Sequence, residues 1–478
     1  MSIDLKNLTI AKARKALDGK VFSAVQLAQA YLDEMKKKNK ELNAYLEVYS
    51  DILEQAKTAD EMIAKGESYP LLGIPVAIKD NILIKGRVAS SASKILENYT
   101  ASYDATVIAK LKREGVVFLG RTNMDEFALG GSTENSAFGV TKNPHDITRV
   151  AGGTSGGSAV AVSAGLALAA LGSDTGGSIR EPSAFCGVVG LKPTYGAVSR
   201  SGLMAATSSF DCIGPIAKTV EDTEVIFNVI KGSDVLDSTS IEVESYKVHK
   251  VIKSESKKII GIPSDLINQE GIDLKVKENF KESVKNLESL GYSIVDIKLP
   301  NCIALYYIIN FAEVSTNLAR FDGVRYGTHK DGKNLLGDYL LSRGTGFGKE
   351  SRRRILLGAY VLSAGYYDAY YGKAQRAREA LKQEFKELFS KIDFVLTPTS
   401  PIPAWKIGEK SDPLSMYLVD IFTCTANIVG VPAISVPSGF MEINGKQLPL
   451  GIQFMAPHGG EKSLFEIGKK FEGIQIEP

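Results

Sequence analysis

Histidine is scarce in this chain. His145, His249, His329 and His458 are all it has, and none stands in HExxH or a similar metal-ligand spacing. A satisfied or exposed histidine is the expectation at each, so a Ser-His-Asp triad would lack its base. Cysteine is as rare: Cys186, Cys212, Cys302 and Cys424 lie far apart, form no CxxC pair and sit among small or apolar neighbours. Buried free thiols are expected there, in a reducing compartment, and no disulfide framework. An excess of one charge is missing too. The 57 basic and 55 acidic residues leave a net charge of +2, which argues against a nucleic-acid surface belonging to this chain alone. Long hydrophobic runs are also absent. The most apolar stretch, residues 159–171, is too short to cross a bilayer, and residues 1–7 carry no signal-peptide core. A cytoplasmic protein without membrane contact is expected.

What is present is an ordinary globular composition, 44% hydrophobic and 23% charged over 478 residues, enough for a large core. Residues 8–40 read as two helices, the second opened by the capping-box pattern Ser23-Ala24-Val25-Gln26. A strand at 75–79, a helix near 105–114 and a buried strand at 116–119 follow. A small-residue helix from Ser158 leads into 167–171, a strand or a helix end. Strand-like runs recur at 258–262, 293–298, 393–396, 433–437 and 450–454, between helices such as 274–289 and 366–391. This alternation predicts an α/β fold with a large central mixed β-sheet covered by helices on both faces. One domain over 1–478 is expected, with a core at 60–230 carrying the catalytic loops. A mostly helical region at 300–370 would cover the substrate pocket, and Asp234–Lys258 reads as a polar surface connection.

The chemistry concentrates in two glycine turns flanking one helix: Gly152-Gly153-Thr154-Ser155-Gly156-Gly157-Ser158 and Gly172-Ser173-Asp174-Thr175-Gly176-Gly177-Ser178. Neither is a GxxxxGK[ST] phosphate loop or a GxSxG elbow. Consecutive glycines allow a backbone that points several N–H groups at one spot, as a developing oxyanion needs, with Ser178 at the end of the turn to attack a carbonyl. Upstream, Lys79 closes the apolar run Ile74-Pro75-Val76-Ala77-Ile78. A lone lysine at a strand end is usually a surface residue. Buried beside these turns it becomes a neutral amine and a usable base.

These turns, the Lys79 strand and Leu191-Lys192-Pro193-Thr194-Tyr195-Gly196 resemble the amidase signature family over nearly the whole chain. Finer motifs at 92–98, 123–127, 132–139, 317–327 and 365–371 are similar to the members that supply ammonia in tRNA-dependent amidotransferases. The resemblance implies Ser178 as nucleophile on glutamine, Thr154 as hydroxyl relay and Lys79 as base, with a cis peptide bond beside the relay residue. It implies an oxyanion hole from the amides of Thr175, Gly176, Gly177 and Ser178. It assigns substrate binding to Tyr307, Arg354 and Asp420, the last two pairing with the α-carboxylate and α-amino groups. No metal or cofactor is implied in this chain; ATP and Mg would act in a partner. The implied partners are subunits B and C of a heterotrimer, with misacylated Glu-tRNA(Gln) or Asp-tRNA(Asn) held mainly by the partner. Three positions depart from the family's pattern: Thr154 replaces serine, Ala151 proline and Glu181 glutamine. Two other functions stay open, a free-standing amidase for another small amide and an interface protein whose catalysis Thr154 impairs.

Overall fold

The apolar runs become strands of one sheet in the computed structural model, which describes residues 3–243, 258–410 and 412–476. In chain order they are β1 (Tyr45–Val48), β2 (Pro75–Lys79), β3 (Val117–Thr122), β4 (Lys142–Asn143), β5 (Asp146–Val150), β6 (Ala169–Asp174) and β7 (Val189–Lys192). Then follow β8 (Cys212–Ala217), β9 (Ile259–Ile262), β10 (Ser293–Asp296), β11 (Phe394–Pro398), β12 (Ala433–Ile443) and β13 (Lys446–Met455). Eleven of them form a single sheet in the order β1-β3-β2-β6-β8-β7-β12-β13-β11-β9-β10, while β4 and β5 pair separately. The sheet is mixed: β2 runs parallel to β3 and β6, and β6 antiparallel to β8. Every residue of β2, β6 and β8 is buried, so side chains alternating to either face meet cover on both.

The first two helices run from Ile10 to Asp18 and from Ala24 to Leu42, and Ser23 and Gln26 make both bonds of the expected capping box. The 167–171 run is a strand, and it extends to Asp174. The helix expected at 366–391 is shorter: a π-helical turn over Asp368–Gly372 precedes the α-helix Lys373–Leu388. The 300–370 region is largely helical, through Ile303–Asn317, Leu335–Gly346 and Lys349–Val361. Most of the polar connection, and His249 with it, lies outside the described residues.

Strands β2 and β6 position the site. Their parallel register pairs Ile78 with Leu171, so Lys79 and the turn after Asp174 emerge at the same edge of the sheet. In sheets of this kind, sites form beyond the carboxyl ends of parallel strands.

Candidate active site

Lys79 ends β2 with no exposed surface, its Nζ 2.8 Å from Thr154 Oγ1, 2.8 Å from Ser155 Oγ and 3.2 Å from the Ser173 carbonyl. Burial drives its pKa down to about 7, although Asp125, Asp174 and Asp211 pull the other way. A neutral amine fits the three oxygens. It can donate to Ser155 and to the Ser173 carbonyl while its lone pair accepts from the Thr154 hydroxyl. The methyl of Thr154 therefore leaves the hydroxyl facing the lysine.

The two glycine turns are stitched together. The Ser155 N–H donates to the Ser178 carbonyl at 3.0 Å, and the Ser155 hydroxyl donates to the Ser173 carbonyl at 3.0 Å. Thr133 braces the first turn, donating to the Gly153 carbonyl at 2.8 Å and accepting from the Gly156 N–H at 3.1 Å. The peptide bond before Thr154 is trans, and no cis bond occurs among the described residues. This corrects the expectation carried by the resemblance: Thr154 reaches Lys79 through the left-handed Gly152 and Gly153, at φ 81° and 50°.

Asp174 shapes the second turn. It accepts from the amides of Gly177 (2.9 Å) and Ile179 (3.1 Å) and from Asn427 (2.9 Å), and it pairs with Arg180 through Nε at 3.1 Å and Nη2 at 3.0 Å. Burial alone would raise this carboxyl, but Arg180 and Asn427 hold it down at about 2. Arg180 extends the brace to the Thr423 carbonyl, Gln453 and Asn427.

Of the four expected oxyanion donors, Gly177 is thus engaged by Asp174. The amides of Thr175, Gly176 and Ser178 make no backbone bond among the described residues. The Ser178 side chain forms no hydrogen bond there either and keeps 8% of its surface exposed. Gly177 adopts φ 139°, and a Cβ on it would lie 2.4 Å from Thr423 Oγ1. At Gly176 a Cβ would lie 2.4 Å from the Tyr306 hydroxyl, so the helix Ile303–Asn317 packs directly on the turn.

That helix also delivers Tyr307, whose hydroxyl donates to Asp420 at 2.6 Å. Arg354, from the helix Lys349–Val361, lies over the Tyr307 ring at 5.3 Å and bonds Glu350 at 2.7 Å and Asn310 at 2.8 Å. In the Arg352-Arg353-Arg354 run only Arg354 is buried; Glu350 and the tyrosines raise its pKa despite its desolvation. The three residues expected to bind substrate are therefore brought together. Burial raises the Asp420 carboxyl to about 7, with Tyr307 and Arg354 opposing. The described histidines do other work, with ring nitrogens of His145, His329 and His458 on backbone carbonyls. All four cysteines are buried and free. Reading the sequence missed Ser155 and the Asp174–Arg180 brace. The hydroxyl doublet Thr154-Ser155 was the available signal for the first; the second depends on Arg180 contacts more than 240 positions away.

A fully buried lysine on a hydroxyl, beside a serine-ended turn with unused amides, defines the class. The chain belongs to the amidase family, whose sequence profile matches residues 26–465. It is similar to the A subunit of glutamyl-tRNA(Gln) amidotransferase from Desulfatibacillum aliphaticivorans, 48% identical over 98% of this chain and 97% of that one. The corresponding protein of Thermodesulfovibrio yellowstonii is 53% identical over 88% of this chain and 87% of its own length. The crystal structure of its Thermotoga maritima counterpart matches with a TM-score of 0.80 at 41% identity, covering 99% of this chain and 96% of that one.

Proposed function

We propose that this chain is the glutaminase component of a tRNA-dependent amidotransferase. It hydrolyses glutamine and passes the ammonia on for converting Glu-tRNA(Gln) to Gln-tRNA(Gln), and Asp-tRNA(Asn) to Asn-tRNA(Asn) where the partner binds that acceptor. Ser178 Oγ bonds to the γ-carbonyl carbon while its proton passes through the Thr154 hydroxyl to neutral Lys79. The free amides of the second turn hold the oxyanion. On collapse the C–N bond breaks, the proton returns to the leaving nitrogen, and ammonia departs. Water then cleaves the ester to glutamate by the same relay. Arg354 receives the α-carboxylate and Asp420 the α-amino group, an arrangement that an apolar amide would not need. Subunits B and C complete a heterotrimer, with ATP, Mg and most of the tRNA contact in the partner.

The observation that carries this reading is the 2.8 Å contact of buried Lys79 with Thr154 Oγ1. Its test is ammonia release from glutamine by the chain assembled with its partners, which Ser178→Ala is expected to reduce about 10⁶-fold. Release that survives in Ser178→Ala rejects the serine mechanism.

The same contact sets the expectation for the relay. Thr154→Ser keeps the hydroxyl and is expected to change kcat by less than about threefold. Thr154→Val keeps the shape without the hydroxyl and is expected to lower kcat about 10²-fold or more. A large gain in Thr154→Ser would instead mark the threonine as an impairment.

A further inference from the structure

Glu181 is the feature that the mechanism leaves unused. It lies three residues after Ser178 in the buried helix Arg180–Cys186, only 2% exposed, and its Oε1 is buried with no hydrogen-bond partner. An unpaired buried carboxyl oxygen is costly and rare in a folded protein. Its backbone is tied to Gly177: the Glu181 N–H donates to the Gly177 carbonyl at 2.8 Å. On another side Gly177 packs on Thr423, whose N–H donates to the Asp420 carbonyl at 3.1 Å. The main chains of Glu181 and Asp420 are thus both anchored around the residue preceding the nucleophile.

We propose that Glu181 is a second acidic ligand for the substrate's amino group, closing with Asp420 a two-carboxylate clamp on the α-ammonium of glutamine. The proposal rests on the glutaminase reading given above and goes beyond it in making this chain's amino-group subsite doubly acidic. With no cation between them, ionising both carboxyls is disfavoured by burial and by their mutual repulsion. Burial raises Glu181 well above the usual carboxyl range, and Asp420, Asp125 and Asp174 add to this against the pull of Arg180. Asp420 accepts from the Tyr307 hydroxyl at 2.6 Å and feels the charges of Arg354, Asp174 and Arg180. An ammonium placed between the two carboxyls favours both charged forms, so binding expels a proton. Glutamine affinity therefore rises with pH, by up to about tenfold per unit for one proton released.

The test separates binding from turnover. Calorimetric titration of glutamine into the full chain carrying Ser178→Ala, in buffers of different ionisation enthalpy, counts the protons released. About one proton per glutamine is expected near pH 7, with affinity increasing from pH 6 to 8. Adding Glu181→Gln, which preserves size and the fold, is expected to remove most of that release and flatten the pH dependence. Equal proton release and equal pH dependence with and without Glu181→Gln would overturn the clamp. No glutamine binding by Ser178→Ala itself, with a cooperative melt showing it folded, would overturn the glutaminase reading and the clamp with it.

Discussion

Lys79→Met is expected to lower kcat for glutamine hydrolysis by about 10²–10⁴-fold while the protein stays folded. Lys79 is the only amine within hydrogen-bonding reach of Thr154 Oγ1 among the described residues. Methionine keeps the length of the chain but accepts no proton. Stability should change little, since burying an amine is itself unfavourable. The Ser155 hydroxyl also keeps its bond to the Ser173 carbonyl at 3.0 Å. The wild-type profile gives the companion result. With Lys79 at about 7, the inactive ammonium accumulates below that pH. Wild-type kcat is then expected to fall about tenfold per unit on the acid side and level off above pH 8, while the residual rate of Lys79→Met loses this inflection. Stopped-time ammonia assays from pH 5.5 to 9, with thermal melts of both proteins, check the pair of results. An unaltered inflection in Lys79→Met would assign the titration to another group.

Asp174→Ala is the second large effect, this time on stability. The carboxylate is fully buried and holds Arg180, Asn427 and the amides of Gly177 and Ile179. Its removal leaves a buried guanidinium with three of its five hydrogen bonds and without its counter-charge, at a cost of about 3–5 kcal/mol. Adding Arg180→Met to Asp174→Ala removes the stranded charge, and most of the stability is expected to return. Activity should not return in the double variant, because the turn has lost the acceptor that shapes it. Denaturant midpoints for the single and double variants measure the coupling; additive losses would show that the pair does not act as a unit. Because the folded carboxyl titrates near 2 and the unfolded one near 3.8, its contribution is complete above about pH 4. It fades as pH falls toward 2.

The strands and turns carrying Lys79 and Ser178 were legible because their signals are local. Strand β2 is apolar up to its closing lysine, and glycine pairs break the chain on both sides of the helix Gly156–Ser163. Strand β8 was not legible. It contains Gly214 and Pro215, residues that argue against a central strand, yet it lies between β6 and β7 with every residue buried. Strand β7 is only four residues long and ends at a buried lysine, Lys192. The trans bond before Thr154 was equally out of reach, since backbone isomers leave no trace in composition. Glu126 shows the same limit in a side chain. Its carboxylate gathers Ser93, Ser351 and the Gly348 amide from segments up to 225 positions away, and no spacing rule connects them.

The reach of Arg180 also sets when in its life the molecule can work. The three residues of the relay are made within the first 178 positions, but the guanidinium that steadies their turn waits for Thr423, Asn427 and Gln453. Those partners leave the ribosome well after the relay residues. A nascent or truncated chain ending before β13 contains the whole relay and lacks part of its anchor. Assembly of the catalytic turn is thereby tied to the synthesis of β13, and a fragment cut to the catalytic loops alone would be a poor route to a smaller enzyme.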